Sequence, residues 1–110
     1  MHAARLRRGE DIARVLAEGI ARNDKLFSLR ALSNDEAAVR VAVSASRAVG
    51  GAVKRNRARR RVHEAVRTVL GDRGAAVGMD LVLLVRPPAL HAPASDLRGA
   101  VERELGRVLR

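Results

Sequence analysis

The run Lys54-Arg55-Asn56-Arg57-Ala58-Arg59-Arg60-Arg61-Val62-His63-Glu64-Ala65-Val66-Arg67 constrains the fold of this chain more than any other stretch. A segment so rich in arginine can join a folded domain only if its few apolar residues share one side. At about 100° per residue around a helix they do: Ala58, Val62, Ala65, Val66 and Val69 form one stripe. Asn56, Arg60, His63 and Arg67 share a second face, and Arg57, Arg61 and Glu64 line a third. Without the stripe the tract would read as a disordered basic arm. With it, one face docks on a core and the charges are held in fixed relative positions.

The charge balance follows the same element. The chain carries 22 Lys and Arg against 12 acids, a net charge of +10. Between residues 54 and 73 lie Lys54, Arg55, Arg57, Arg59, Arg60, Arg61, Arg67 and Arg73 against Glu64 and Asp72, so most of the excess sits in one helix. Arginine outnumbers lysine 20 to 2. The planar guanidinium fork suits bidentate pairing with phosphate and stacking on bases better than an ammonium does, so a nucleic acid is the expected partner.

At 110 residues with 47% apolar content, the chain is expected to form one domain, 1–110, with a short basic N-terminal arm at about 1–8. Cysteine is absent, which fits a reducing interior. The start Met-His-Ala-Ala-Arg-Leu-Arg-Arg is not followed by an apolar stretch of secretory length, and no run approaches a membrane span. A cytoplasmic protein with no membrane partner is expected.

Glu10 and Asp11 supply first-turn acids ahead of Ile12, Val15, Leu16 and Ile20, predicting a short helix over 10–18 that Gly19 helps to end. Residues 25–32 and 38–46 read as strands of an antiparallel hairpin joined by Ser33-Asn34-Asp35-Glu36. Gly50-Gly51 breaks the chain before the basic helix, which runs to about Leu70 and stops in Gly71-Asp72-Arg73-Gly74. Met79–Val85 is a continuous apolar run, read as a strand covered on both faces and ended by Pro87-Pro88. After Pro93, the spacing of Leu97, Val101, Leu105 and Val108 predicts a closing helix with Ser95 or Asp96 near its cap. The order α-β-β-α-β-α defines an α+β two-layer sandwich with helices against one sheet.

An autonomous enzyme finds no support here. His2, His63, His91 and the scattered carboxylates show no metal-ligand spacing, and no catalytic or metal residue is assigned. Gly50-Gly51 before a helix favours phosphate approach at the helix start but lacks the Gly-Lys-Ser/Thr ending of a nucleotide loop.

Three stretches resemble one family. Val41 to Arg67, centred on Gly50-Gly51-Ala52-Val53-Lys54-Arg55-Asn56-Arg57-Ala58-Arg59-Arg60, resembles the Arg-Asn-Arg signature of the bacterial ribonuclease P protein subunit. Arg5-Leu6-Arg7-Arg8-Gly9-Glu10-Asp11-Ile12 is similar to that family's opening, and Asp80-Leu81-Val82-Leu83-Leu84-Val85-Arg86-Pro87 to its last strand. The resemblance implies a protein that binds a catalytic RNA and the 5′ leader of precursor tRNA, while magnesium held by that RNA, not by the protein, performs hydrolysis. It implies one monomeric protein per RNA. For the fold it implies a mixed sheet of about four strands, order α-β-β-(β)-α-β-α, with the extra short strand near Ser44 to Val49 and a left-handed β-α-β crossover in place of the usual right-handed form.

Carried onto this chain, the RNA-binding set is Lys54, Arg55, Asn56, Arg57, Arg59, Arg60, Arg61, His63 and Arg67. The leader cleft is Ile12, Leu16, Phe27, Arg30, Ser46 and Arg47. Two departures stand out. His63 takes a position that is usually basic in the family, and Ile12, Leu16 and Arg30 stand where Phe, Phe and Tyr are common, leaving Phe27 as the only aromatic in the chain. Aromatic stacking is worth about 1–3 kcal/mol per base, so the leader is expected to be held more by apolar contact, arginine stacking and phosphate pairing. Phe27 and Arg30, three residues apart, leave a regular strand on opposite faces, so a shared site needs a bulge, and Phe27 otherwise belongs to the core. Ile12 and Leu16 read equally well as core packing. Outside the family, the alternative function is a non-enzymatic binder of structured RNA, ribosomal or nucleoid in type.

Overall fold

The computed structural model describes residues 4–36, 38–73 and 78–109. In chain order these form β1 (Ala4–Arg5), α1 (Gly9–Glu18), β2 (Ile20–Asn23), β3 (Phe27–Ser33), β4 (Val39–Ala45), α2 (Ala52–Arg73), β5 (Met79–Val85) and α3 (Ala94–Val108). Short 3-10 turns occupy Arg47–Val49 and Pro87–Leu90. The strands make one mixed sheet in the order β1-β4-β5-β3-β2.

Side-chain alternation divides the sheet into two unequal faces. Leu29 pairs with Leu83 and Val43 with the same Leu83, so the odd-numbered residues of β3, β4 and β5 look one way. They meet the stripe of α2 (Ala58, Val62, Ala65, Val66, Val69) and the inner side of α3 (Leu97, Val101, Leu105) in one buried core. Each large aliphatic side chain fully withdrawn from water there contributes roughly 1.5–3 kcal/mol. On the opposite face Val82 packs with Leu6 and Val15 under α1, flanked by Ile12, Leu32 and Ala42. The two main layers are thus the sheet and the α2/α3 pair, and α1 covers part of the far side.

The handedness of the β4-α2-β5 crossover follows from the hydrogen bonds. For an L-chain running upward, a residue whose side chain faces the viewer has its N–H and C=O on the viewer's right. Seen from α2, the odd residues of β4 face the viewer, and the Val41 carbonyl accepts from the Leu6 N–H of the β1 segment. The even residue Ser46 donates instead to Val85 of β5. β5 therefore lies to the left, and the crossover is left-handed, against the usual preference.

β3 and β4 do not form the expected hairpin, because β5 lies between them, and several boundaries also differ from expectation. The extra strand is not near Ser44–Val49, where Ser46 accepts from the Ala48 N–H and opens a 3-10 turn. The additional strands are β1 and β2. Ile20, which continues the helical spacing, is instead the first residue of β2, because α1 ends at Gly19 against the sheet. A Cβ on Gly19 would lie 2.5 Å from the Val15 oxygen and 3.0 Å from that of Ala31. Asp24 then closes the β2–β3 turn by accepting from the Leu26 N–H at 2.9 Å. Arg103 to Asp24 at 2.7 Å and Arg22 to Glu104 at 3.1 Å tie that hairpin to α3. α2 continues past Leu70 to Arg73, and Pro93 itself occupies the cap position of α3, with Asp96 in its first turn. Residues 1–3 of the expected arm and Gly74 of the expected helix stop lie outside the described residues.

Candidate nucleic-acid interface

Gly50 sets the approach to the basic helix. Its φ of 137° lies in a region closed to side-chain-bearing residues, and it turns the chain from the 3-10 turn into α2. From there the apolar stripe clamps α2 on the sheet. The outward faces carry the charge, and the structure sorts the arginines into different roles.

Arg59, Arg60, His63 and Arg67 line one wall of a groove of about 930 Å³. The floor includes Val41, Val43 and Val66, and the far wall includes Arg5 and Arg7. Arg60, His63 and Arg67 are exposed, and Arg67 lies 4.0 Å from Glu64, a loose surface pair that leaves it available. Arg59 is oriented by a hydrogen bond to the Asn56 side-chain oxygen. Lys54, Asn56 and Arg57 are exposed on the first turns, outside the groove, and Arg55 is half-buried with its Nε enclosed.

Arg61 requires a correction. Its Nη1 donates to the Ala89 carbonyl at 2.6 Å and its Nη2 to the Ala92 carbonyl, so it is half-buried between α2 and the 3-10 turn before α3. Those carbonyls face a protein interior where a cation satisfies them, and the guanidinium is spent on that contact. Arg61 is a tether of the helix rather than a free phosphate ligand.

The expected cleft divides in the same way. Phe27 is 1% exposed and lies in the α2/α3 core, on the opposite face from Arg30. No bulge interrupts β3, whose register with β5 runs from Phe27↔Val85 to Ser33↔Met79. Phe27 is therefore unavailable for stacking, and its assignment to the cleft is wrong. Leu16 (47% exposed) and Arg30 do meet, Arg30 donating to the Leu16 carbonyl at 2.6 Å and so capping the C-terminal end of α1. Ile12 is half-buried, packing beneath α1 while touching the groove. Ser46 and Arg47 follow the end of β4, Ser46 half-buried and Arg47 exposed.

The sequence reading missed the exposure of Leu84, and it took Arg5 and Arg7 as part of a basic arm rather than as a wall of the groove. Leu84 sits inside a run read as covered on both sides, yet it is 41% exposed, two residues along β5 from Val82, over which α1 crosses the sheet. Ser28 and Ser44 pair with it from the neighbouring strands, and Arg86 bonds Asn23 nearby at 3.0 Å. Arg5-Leu6-Arg7 alternates at strand period, a signal that identifies one inward and two outward residues.

α1 is fixed over the sheet by a polar corner. Arg40 donates twice to Asp80, each at 2.7 Å, and Asn34 donates to the same carboxylate at 2.7 Å. Arg40 also lies 3.7 Å from Asp11 in the first turn of α1. Asp80 is 1% exposed. Burial by itself pushes its carboxyl up, but the hydrogen bonds from Arg40 and Asn34 outweigh that and hold it below the usual range. Among the described residues no three His, Cys, Asp or Glu side chains gather as a metal site.

Fold and surface together define a class: a small basic α+β protein built to present charge on a rigid helix, in a fold shared with bacterial RNase P proteins. The RNase P protein from Thermotoga maritima superposes with a TM-score of 0.80 at 24% identity, over 94% of this chain and 96% of that one. The Staphylococcus aureus RNase P protein gives 0.78 at 20% identity over 97% and 96%. In sequence, the family described as Ribonuclease P matches residues 1–109. The ribonuclease P protein component of Dehalococcoides mccartyi is 36% identical over 106 residues, 96% of this chain and 85% of its own length. That of Chloroflexus aurantiacus is 42% identical over 97 residues, 87% and 70%. The chain belongs to the ribonuclease P protein family, the protein component of the ribonucleoprotein endonuclease that matures the 5′ end of tRNA. The ribosomal or nucleoid alternative is set aside.

Proposed function

We propose that this chain docks the ribonuclease P RNA through the outward faces of α2 and guides the 5′ leader of precursor tRNA over the open part of the sheet beside α1. The observation that carries the reading is the groove wall of Arg59, Arg60 and Arg67, cations fixed with His63 on a helix whose other side is core. A one-sign surface on a rigid element raises the local concentration of a polyanion and fixes its register. Lys54, Asn56 and Arg57 extend that surface toward the helix start. For the leader, Leu16, Leu84 and Arg30 replace aromatic stacking with apolar contact and a guanidinium, and Ser46 and Arg47 continue the path. Hydrolysis belongs to the RNA and its magnesium, and the protein binds and orients.

The whole chain acts as one domain and one copy serves one RNA, in the cytoplasm. Among the described residues no helix is long and apolar enough to cross a membrane. The test is reconstitution: adding the protein to a bacterial ribonuclease P RNA at low magnesium should raise precursor tRNA cleavage at the 5′ leader junction. An unchanged rate at saturating protein would overturn the reading.

A further inference from the structure

The groove beside α2 has two walls, and only one of them belongs to the signature helix. The other comes from the opening residues, which the sequence presents as a trailing arm. Leu6 is buried with Val15 and Val82 beneath α1, and its N–H donates to the Val41 carbonyl at 2.8 Å. Strand alternation then turns Arg5 and Arg7 away from α1, to the side where α2 lies. Both are exposed, and among the described residues neither side chain has an ion-pair or hydrogen-bond partner. Across the groove stand Arg60, His63 and Arg67.

β1 pairs with β4 at Arg40 and Val41, and among the described residues no strand pairs with that edge of β4 from Ala42 onward. The groove floor there is mainly apolar, with Ser44 at its edge, and the one acid lining the groove, Glu64, stands on the α2 wall in loose contact with Arg67 at 4.0 Å. Cations of one sign on both sides of an apolar floor focus a positive potential along the strand edge. Such a channel tracks a nucleic-acid backbone, phosphates to the walls and sugars or bases to the floor.

We propose that Arg5 and Arg7 are the second jaw of a clamp, in which one strand of the partner RNA lies along the free edge of β4 with its phosphates shared between the N-terminal segment and α2. The proposal rests on the RNA-docking reading above and adds residues outside the signature helix. It also makes Leu6 a positioning residue, the buried anchor that aims both arginines.

The chain has no cysteine, so single thiols can carry a tethered iron–EDTA that cuts nearby ribose by hydroxyl radical. Arg7→Cys and Glu64→Cys place one probe on each wall. Bound to ribonuclease P RNA, the two should cut the same contiguous run of nucleotides on one strand. Cleavage from residue 64 alone, or at a separate run or an opposing strand from residue 7, overturns the clamp and leaves the α2 interface standing. No cleavage from either probe overturns both. In parallel, Arg5→Ala with Arg7→Ala should flatten the slope of log affinity against log salt by between one and two units, about 0.7 for each single-strand phosphate that the protein no longer neutralises. The double variant retains Leu6 and should melt with the parent; an unchanged slope overturns the proposal.

Discussion

The two faces of the sheet are made from the same strands but follow different rules. The odd face is closed: α2 and α3 cover it, Phe27, Leu29, Leu81 and Leu83 are sealed, and its job is to hold the basic helix still. The even face is half open: α1 shields Val82 and leaves Leu84 in water, and it is held by a small apolar cluster and by the pair from Asp11 to the Arg40–Asp80 corner. One face therefore supports binding by rigidity, and the other offers surface directly.

The sharpest break of this contrast is a charge in the closed face. Val62→Asp puts an unpaired carboxylate where exposure is zero, and the domain should fail to fold cooperatively, seen as loss of a sigmoidal thermal transition by circular dichroism. A native-like melt would mean that the core is far more plastic than its packing suggests.

The next largest effect tests the open face. Asp80→Asn leaves Arg40 without its charge partner and should cost about 3 kcal/mol in denaturant unfolding, the low end for a buried pair because Arg40 is partly wet. It should also change the acid response. A carboxyl held below the ordinary range contributes stability that is fully present above its unfolded value of about 3.9 and is lost as pH falls through the lower folded value. The parent should thus weaken below about pH 4, and the variant should show a flatter profile there. Identical acid profiles would remove Asp80 from that role.

Arg60 and Arg61, neighbours in sequence, should separate cleanly. Arg61→Ala should lower stability by about 1–2 kcal/mol because the Ala89 and Ala92 carbonyls are left without their donor, with little change in the salt dependence of RNA binding. Arg60→Ala should leave stability within about 0.5 kcal/mol and flatten the salt slope by about one unit. Equal behaviour of the two would show that the tether is exchanged for phosphate in the complex.

The smallest effects compare Phe27 with Leu84. Phe27→Leu should cost about 1 kcal/mol of stability and leave the preference for precursor over mature tRNA intact. Leu84→Ser should do the reverse, lowering that preference a few-fold with little change in melting. A drop in precursor preference for Phe27→Leu alone would restore the aromatic to the cleft.

What could be read in the sequence follows the same division. The closed face was legible because its signals are periodic: Ala58, Val62, Ala65, Val66 and Val69 at helical spacing, and Val39, Val41 and Val43 at strand spacing, name their own buried sides. The open face was not. Leu84 looks like its neighbours in an apolar run, and only the path of α1, which crosses the sheet over Val82, decides that it meets water. Ile20 continues a helical pattern, and only the closeness of Gly19 to Ala31 ends it. Arg61 looks like any arginine of the tract, since the Ala89 and Ala92 carbonyls that claim it come from a turn far along the chain.

That last contact has a consequence for how the basic face is aimed. A helix clamped by small residues such as Ala58 and Ala65 has some freedom of azimuth, and a turn of a few tens of degrees about its axis would present Arg57 in place of Arg60. The bonds from Arg61 to the Ala89 and Ala92 carbonyls remove that freedom, with Pro87 and Pro88 stiffening the segment that bears the first of them. The phase of the basic face is thus keyed from a turn outside α2, and sequence changes at Pro87 or Pro88 should retune which cations that face presents without altering a single one of them.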